Sequence, residues 1–133
     1  TNMNTKLDKI LAEISAGELV DKITILEIKK IKISDAIKLA EINKELVSLN
    51  ETMSKFIPDQ SLIRQQKIQL KEVNSKLWDI ENNKRRAEKE RDFGEKFIEN
   101  ARNVYKSNDL RAKIKLEINN ILGSNIKEVK SHK

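Results

Sequence analysis

Apolar positions along this chain recur at three- and four-residue intervals, the spacing of helices that each bury one face. Ser15-Ala16-Gly17-Glu18 has the form of a capping box, with Ser15 as N-cap and Glu18 at the third helical position. It predicts a first helix running to about Ile33. Ser34 and Asp35 open a second through about Phe56, with Leu39, Ile42, Leu46, Leu49 and Met53 as its apolar stripe and Pro58 as its stop. A third, expected to be the longest, covers about Gln60 to Arg91 on Leu62, Leu70, Val73, Leu77 and Ile80, and Asp92-Phe93-Gly94 breaks it. A fourth spans about Glu95 to Tyr105 with Phe97, Ala101 and Val104 inward. Ser107-Asn108-Asp109 reads as the cap of a last helix that ends at Gly123 in the position after the C-cap. Lys9 to Ser15 suits a short strand or a helical turn, and Ile126 to Lys130 alternates like an edge strand that could pair with it. The expected fold is therefore all-α, a single-domain bundle of four to five helices over residues 1–133. Residues 1–14 and 124–133 are expected to be peripheral, with a short two-stranded pairing of the ends as an option.

Some polar residues fall where that pattern wants apolar ones. Arg111, Lys115 and Asn119 stand four residues apart, in a stripe against the ridge of Leu110, Ile114, Ile118 and Ile121. Glu27 lies in the angular gap between Val20, Ile23 and Ile31. Charges at a packing face must be paired or must hold something. Glu27 then reads either as a site carboxylate facing Arg111 or Lys115, or as a group at an angle left open to water. On the third helix the apolar stripe is continued by Glu81, Lys84, Arg85 and Glu88. The favoured reading there is a helix end projecting into water with pairs such as Glu81 to Arg85. Trp78, beside that patch, reads as a lid on the core before it reads as a stacking platform.

Arg102, Tyr105, Asn108, Asp109, Arg111 and Lys115 form the third constellation. Cations converging near a helix start suit a phosphate or carboxylate. The alternative is a buried network in which Arg102 and Arg111 neutralise Glu27, Glu81 or Asp21. Both would leave the same pattern. Glu18, Asp21 and Glu27 could together hold a magnesium ion, but their spacing does not put all three on one face. No cofactor is expected.

Composition removes several chemistries. There is no cysteine, which excludes disulfides and thiol catalysis, and the lone His132 is the penultimate residue. Walker, dinucleotide, HExxH, nucleophile-elbow and EF-hand patterns are missing. Charged residues make up 36% of the chain and aromatics 4%, so the core must be mostly Ile and Leu. Trp78, Tyr105, Phe56, Phe93 and Phe97 then become the expected packing landmarks. A net charge of +6 favours anions. The basic residues are dispersed, however, which argues against nucleic acid. No apolar run reaches the length of a membrane span and no signal-peptide core is present, so the expected setting is the cytoplasm.

Three runs carry a resemblance. Gly17 to Lys29 (GELVDKITILEIK), Leu77 to Glu81 (LWDIE) and Ala101 to Asn119 (ARNVYKSNDLRAKIKLEIN) resemble the signature of a family of small bacterial proteins of unknown function. The closing Leu122 to Ser131 is similar to that family's ending, whereas Asn50 to Val73 matches nothing and reads as a variable hairpin. The resemblance implies that Glu27, Trp78, Glu81, Arg102, Tyr105, Asn108, Asp109, Arg111, Lys115 and Asn119 belong to shared motifs. It also implies a setting in bacterial surface-polysaccharide assembly. The function expected is a non-catalytic binding or accessory protein. Its interhelical polar cluster would recognise an anionic small molecule, a phosphosugar or sugar nucleotide, or a protein partner. A small enzyme using Arg and Lys electrostatics in a bundle pocket is one alternative. An oligomerisation module, a homodimer through the second and third helices, is the other.

Overall fold

The computed structural model describes residues 6–130, and His132 and Ser131, the last residue of the closing motif, lie outside them. Four α-helices follow one another: α1 Ala16–Lys32, α2 Ala36–Phe56, α3 Arg64–Glu90 and α4 Glu95–Leu122. Ser15 caps α1 by accepting the Glu18 amide at 3.0 Å, and Asp35 caps α2 by accepting that of Lys38 at 2.9 Å. Only half of the predicted capping box forms, because the Glu18 side chain is drawn away to lysines. Gly123 ends α4 in the left-handed conformation at φ 62°, as its position predicts.

Two boundaries differ from expectation. Gln60–Ile63 is a 3₁₀ turn and α3 starts only at Arg64, so α4, with 28 residues, is the longest described helix. The expected cap at Ser107-Asn108-Asp109 is no break, and the anticipated fourth and fifth helices are one. Ser, Asn and Asp each cost well under about 1 kcal/mol inside a helix. Burying Ile114 and Ile118 on a continuous α4 is worth roughly 2 kcal/mol each, so packing wins.

Helix α1 is the hub. It contacts α2, α3 and α4, α3 pairs with α4 as a long hairpin, and α2 contacts no helix but α1. The first turn of α1 rests on α4 at Lys115 and Asn119, and its fourth turn, at Glu27, rests on α3 at Lys67 and Lys71. It therefore crosses the hairpin from one arm to the other. The core gathers Leu19, Val20, Ile23 and Leu26 of α1 with Ile42, Leu46 and Met53 of α2, then Ile63, Leu70, Val73, Ile114 and Ile118. No aromatic enters it. Phe56, Phe93 and Tyr105 are exposed, Trp78 and Phe97 are half-buried, and the landmarks expected from sequence are aliphatic instead. Leu62, placed in the α3 stripe by spacing, is exposed because the 3₁₀ turn hands its place to Ile63.

No strand forms among the described residues, so the chain ends do not pair as a sheet. They meet through side chains. Ser124 Oγ accepts the Ala16 amide at 3.1 Å, and Asn125 donates to Glu13 at 2.6 Å. Glu128 accepts from Ser15 and Asn119, and Lys130 pairs with Asp109. The segment after Gly123 is thus a strap laid back over α4 and the start of α1.

Candidate functional site

The predicted stripe on α4 faces α1, and each of its members takes a partner in the first two turns of that helix. Arg111 donates to both carboxylate oxygens of Asp21, from Nε at 2.9 Å and from an Nη at 2.5 Å. Lys115 reaches Glu18 at 2.5 Å. Asn119 Oδ1 accepts the Gly17 amide at 2.7 Å, while its Nδ2 donates to Glu128 at 3.2 Å. This is a ladder of three rungs, charged or polar on both rails. Gly17 lets the rails close up. A Cβ there would stand 2.9 Å from Asn119 Oδ1 and closer still to the Lys115 carbonyl oxygen.

Asp21 is fully buried, and burial of a carboxylate demands complete pairing. Besides Arg111, Asn74 of α3 donates to its Oδ1 at 2.9 Å, and the same Nδ2 lies 3.0 Å from Thr24 Oγ1. Thr24 in turn donates to the Asp21 carbonyl at 2.7 Å. The hydrogen bonds from Arg111 to Asp21 outweigh the opposing cost of burial. With the Asp21 and Glu18 charges they raise the guanidinium pKa above its ordinary value.

Glu27 does not join this ladder. Gly17, Glu18 and Asp21 share one side of α1, and at about 100° per residue Glu27 lies about 120° or more from Asp21 and Glu18. Its partners are Lys71 at 3.4 Å and Lys67 at 3.6 Å, both on α3. The expected meeting of Glu27 with Arg111 or Lys115 is therefore replaced by Asp21 with Arg111 and Glu18 with Lys115. The three carboxylates weighed as a magnesium site face three different sets of cations.

Beside the ladder lies an open cleft of about 420 Å³ between α1, α3 and α4. Trp78, Glu81 and Arg85 of α3 line one side, Ile25 and Ile28 of α1 another, and Arg111 closes the end nearest Asp21. Glu81 pairs with Lys84 at 3.7 Å, not with Arg85 as the spacing suggested, which leaves the Arg85 side chain turned to the cleft. Trp78 is half-buried and forms part of the wall of this cleft.

Of the ten residues singled out from sequence, Trp78, Glu81 and Arg111 share this cleft, and Lys115 and Asn119 stand further along the ladder. Arg102, Tyr105 and Asn108 are exposed on the outer part of α4. Arg102 is nine residues, roughly 14 Å along the axis, from Arg111. It borders a surface groove with Glu95, Glu99 and Lys106. Asp109 is taken by Lys130 of the strap. A continuous α4 forces this dispersal, since without a break the residues before Ser107 cannot fold back toward the site. Sequence reasoning missed Asn74, Arg85 and Gly17. Asn74 had a signal, an amide set between Val73 and Leu77 in an apolar stripe. In the sequence Arg85 is one of several charges on a projecting helix end, and nothing local sets it apart.

No curated protein and no solved structure matches the chain. A family model does match, over residues 10–133, and its description is a family of unknown function. The match includes the segment from Asn50 to Val73, which lies outside the three runs that carry the resemblance. The chain belongs to that family of unknown function, DUF6165.

Proposed function

We propose that this is a non-catalytic binding protein that holds an anionic small molecule, a sugar nucleotide or phosphosugar, in the cleft between Trp78 and Arg111. One observation carries the reading: Arg111 is anchored to the buried Asp21 and at the same time lines open space. An arginine has five N–H donors, and Asp21 takes one from Nε and one from an Nη. The remainder form a pre-oriented fork for phosphate or carboxylate oxygens. Arg85 adds a second cation, and the Trp78 ring offers a face for a base or sugar ring. Glu81 accepts hydroxyls. Arg102, Tyr105 and Lys115 of the expected polar constellation lie outside this contact set. The setting, cytoplasmic and within bacterial surface-glycan assembly, belongs to the same proposal. The enzyme alternative is less well supported, because electrostatic catalysis calls for cations held free in an enclosed pocket. Here Arg111 is already engaged and the cleft is open.

Trp78 is the single tryptophan, so its fluorescence reports on the cleft alone. Titration with a panel of nucleotide sugars and sugar phosphates should give saturable quenching and a matching rise in melting temperature for at least one member. Arg85→Ala by fluorescence, and Trp78→Phe, which removes the fluorophore, by the melting-temperature shift, should each weaken that binding about tenfold, the scale of one charge-assisted hydrogen bond or one stacking contact. A flat titration across the panel, or variants that bind like the wild type, would overturn the reading.

A further inference from the structure

A second cleft, of about 350 Å³, lies on the other side of α1 from the ladder and is bordered by Gln60, Ser61, Arg64, Lys67, Lys71 and Glu27. Arg64, Lys67 and Lys71 stand at intervals of three and four residues, within about 60° of one another on α3. Like charges at that spacing repel. One carboxylate faces these three cations, so the cleft carries an excess of positive charge. Glu27 itself is poorly satisfied. Its side chain is 26% exposed, yet its Oε1 is buried and finds no hydrogen-bond donor among the described residues. Lys71 is 3.4 Å from that oxygen, near enough for attraction but without hydrogen-bonding geometry. The cleft thus holds more positive charge than negative, and the Glu27 carboxylate is held by attraction to two lysines without a formed hydrogen bond.

From these observations we infer that this cleft is a binding site for a phosphorylated polyol, whose phosphate lies against Arg64, Lys67 and Lys71 while a hydroxyl donates to Glu27 Oε2, the oxygen of that carboxylate that is not buried. A free phosphate would supply the charge, but at neutral pH its oxygens would also be repelled by Glu27. A neutral sugar would supply the hydroxyl but leave the cations crowded. Only a ligand with both groups suits both halves, so Glu27 acts as the discriminating residue. This site shares no lining residue with the Trp78 cleft and stands or falls independently of it.

Nuclear magnetic resonance titration of the ¹⁵N-labelled full chain with glucose 1-phosphate, inorganic phosphate and glucose tests the inference. Shifts should concentrate at residues 60–71 and around Glu27, with glucose 1-phosphate binding about tenfold tighter than inorganic phosphate and glucose not binding measurably. Lys67→Gln combined with Lys71→Gln should abolish the shifts at residues 60–71 and around Glu27 with both anions. Glu27→Ala should bind inorganic phosphate at least as tightly as the wild type, because a repelling charge is gone, and should lose the preference for the sugar phosphate. Should Glu27→Ala not fold, the lysine variants and the wild-type preference still decide. Equal affinity for the two phosphates in the wild type would reduce the cleft to a counter-ion patch and overturn the proposal. Shifts confined to other helices, or an undiminished preference in Glu27→Ala, would do the same. Trp78→Phe should leave the shifts at residues 60–71 and around Glu27 unchanged, because that substitution lies in the other cleft.

Discussion

Gly17 shows how much one residue can decide. In sequence it is merely the spacer of a capping box, yet in the bundle it is where the backbones of α1 and α4 meet without room for a side chain. Its amide donates to Asn119, and the absence of a side chain leaves the Lys115 carbonyl room. Gly17→Ala would gain helix propensity worth about 1 kcal/mol in an open helix. Here overpacking against a backbone that cannot step aside should dominate, for a net loss of about 1–3 kcal/mol in urea denaturation. A variant as stable as the wild type would mean that the rails of the ladder are not in contact. Asp21 and Arg111 carry the complementary lesson. The chain announced that an acid and a base must meet, and the spacing of Arg111, Lys115 and Asn119 told correctly which side of α4 they use. Which acids they would find depended on how α1 crosses the hairpin, and no local pattern encodes a crossing.

Among the elements, the closing strap most changes the expected picture. A peripheral end, or half of a strand pair, proves to be a cover for the exposed amides of α1. Ser124 takes the Ala16 amide, Asn119 that of Gly17 and Ser15 that of Glu18, so the first turn of the helix is capped from three directions. Glu128 ties the cappers together. Partial burial alone would push its carboxyl up. The hydrogen bonds from Ser15, its own backbone and Asn119, with the Lys115 charge, more than offset this and leave its pKa below the ordinary 4.5. A carboxyl whose folded pKa is depressed contributes stability that is fully present above its unfolded value and is lost as pH falls through the folded one. The melting-temperature gap between wild type and Glu128→Gln should therefore be full at neutral pH and close progressively in acid below about pH 4.5. A gap that persists unchanged at pH 3 would detach Glu128 from the strap.

For the whole molecule, the outstanding feature is unequal burial along the α3–α4 hairpin. Ile80 is the last fully buried residue of α3 and Ser107 the first of α4, so residues 81–106 form an arm that leaves the core. The arm tip holds an edge-to-face contact between Phe93 and Phe97, with centroids 5.2 Å apart, and little else apolar. Arg91 ends α3 in the left-handed region at φ 53°, a conformation that favours glycine. Hydrogen exchange should follow burial. Amides of residues 84–104 should exchange by local opening, at least about tenfold faster than those near Leu70, Val73, Ile114 and Ile118. Uniform protection along both helices would show that something covers the arm, for which a second copy of the chain is the first candidate to test by light scattering. The favoured sequence reading of the α3 end, a charged helix leaving the core, agrees with this arm. Arg85 departs from it, because the cleft recruits its side chain at the arm's base.

Helical class, the start and end of α1 and α2, the aliphatic core and the polar face of α4 were all determined by the chain's own sequence. They depend on local geometry, namely 3.6-residue periodicity, an oxygen-bearing cap and a glycine after the last turn. Tertiary structure alone decided the rest. It joined two expected helices into α4, because distributed packing outweighs three weak helix formers. It assigned Arg111 to Asp21 and sent Glu27 across to lysines on α3, because partner choice between helices depends on crossing geometry. It also gathered Trp78, Arg85 and Arg111 around one cleft while leaving Arg102 and Tyr105 outside, since spacing along a helix says which residues share a face but not what stands opposite.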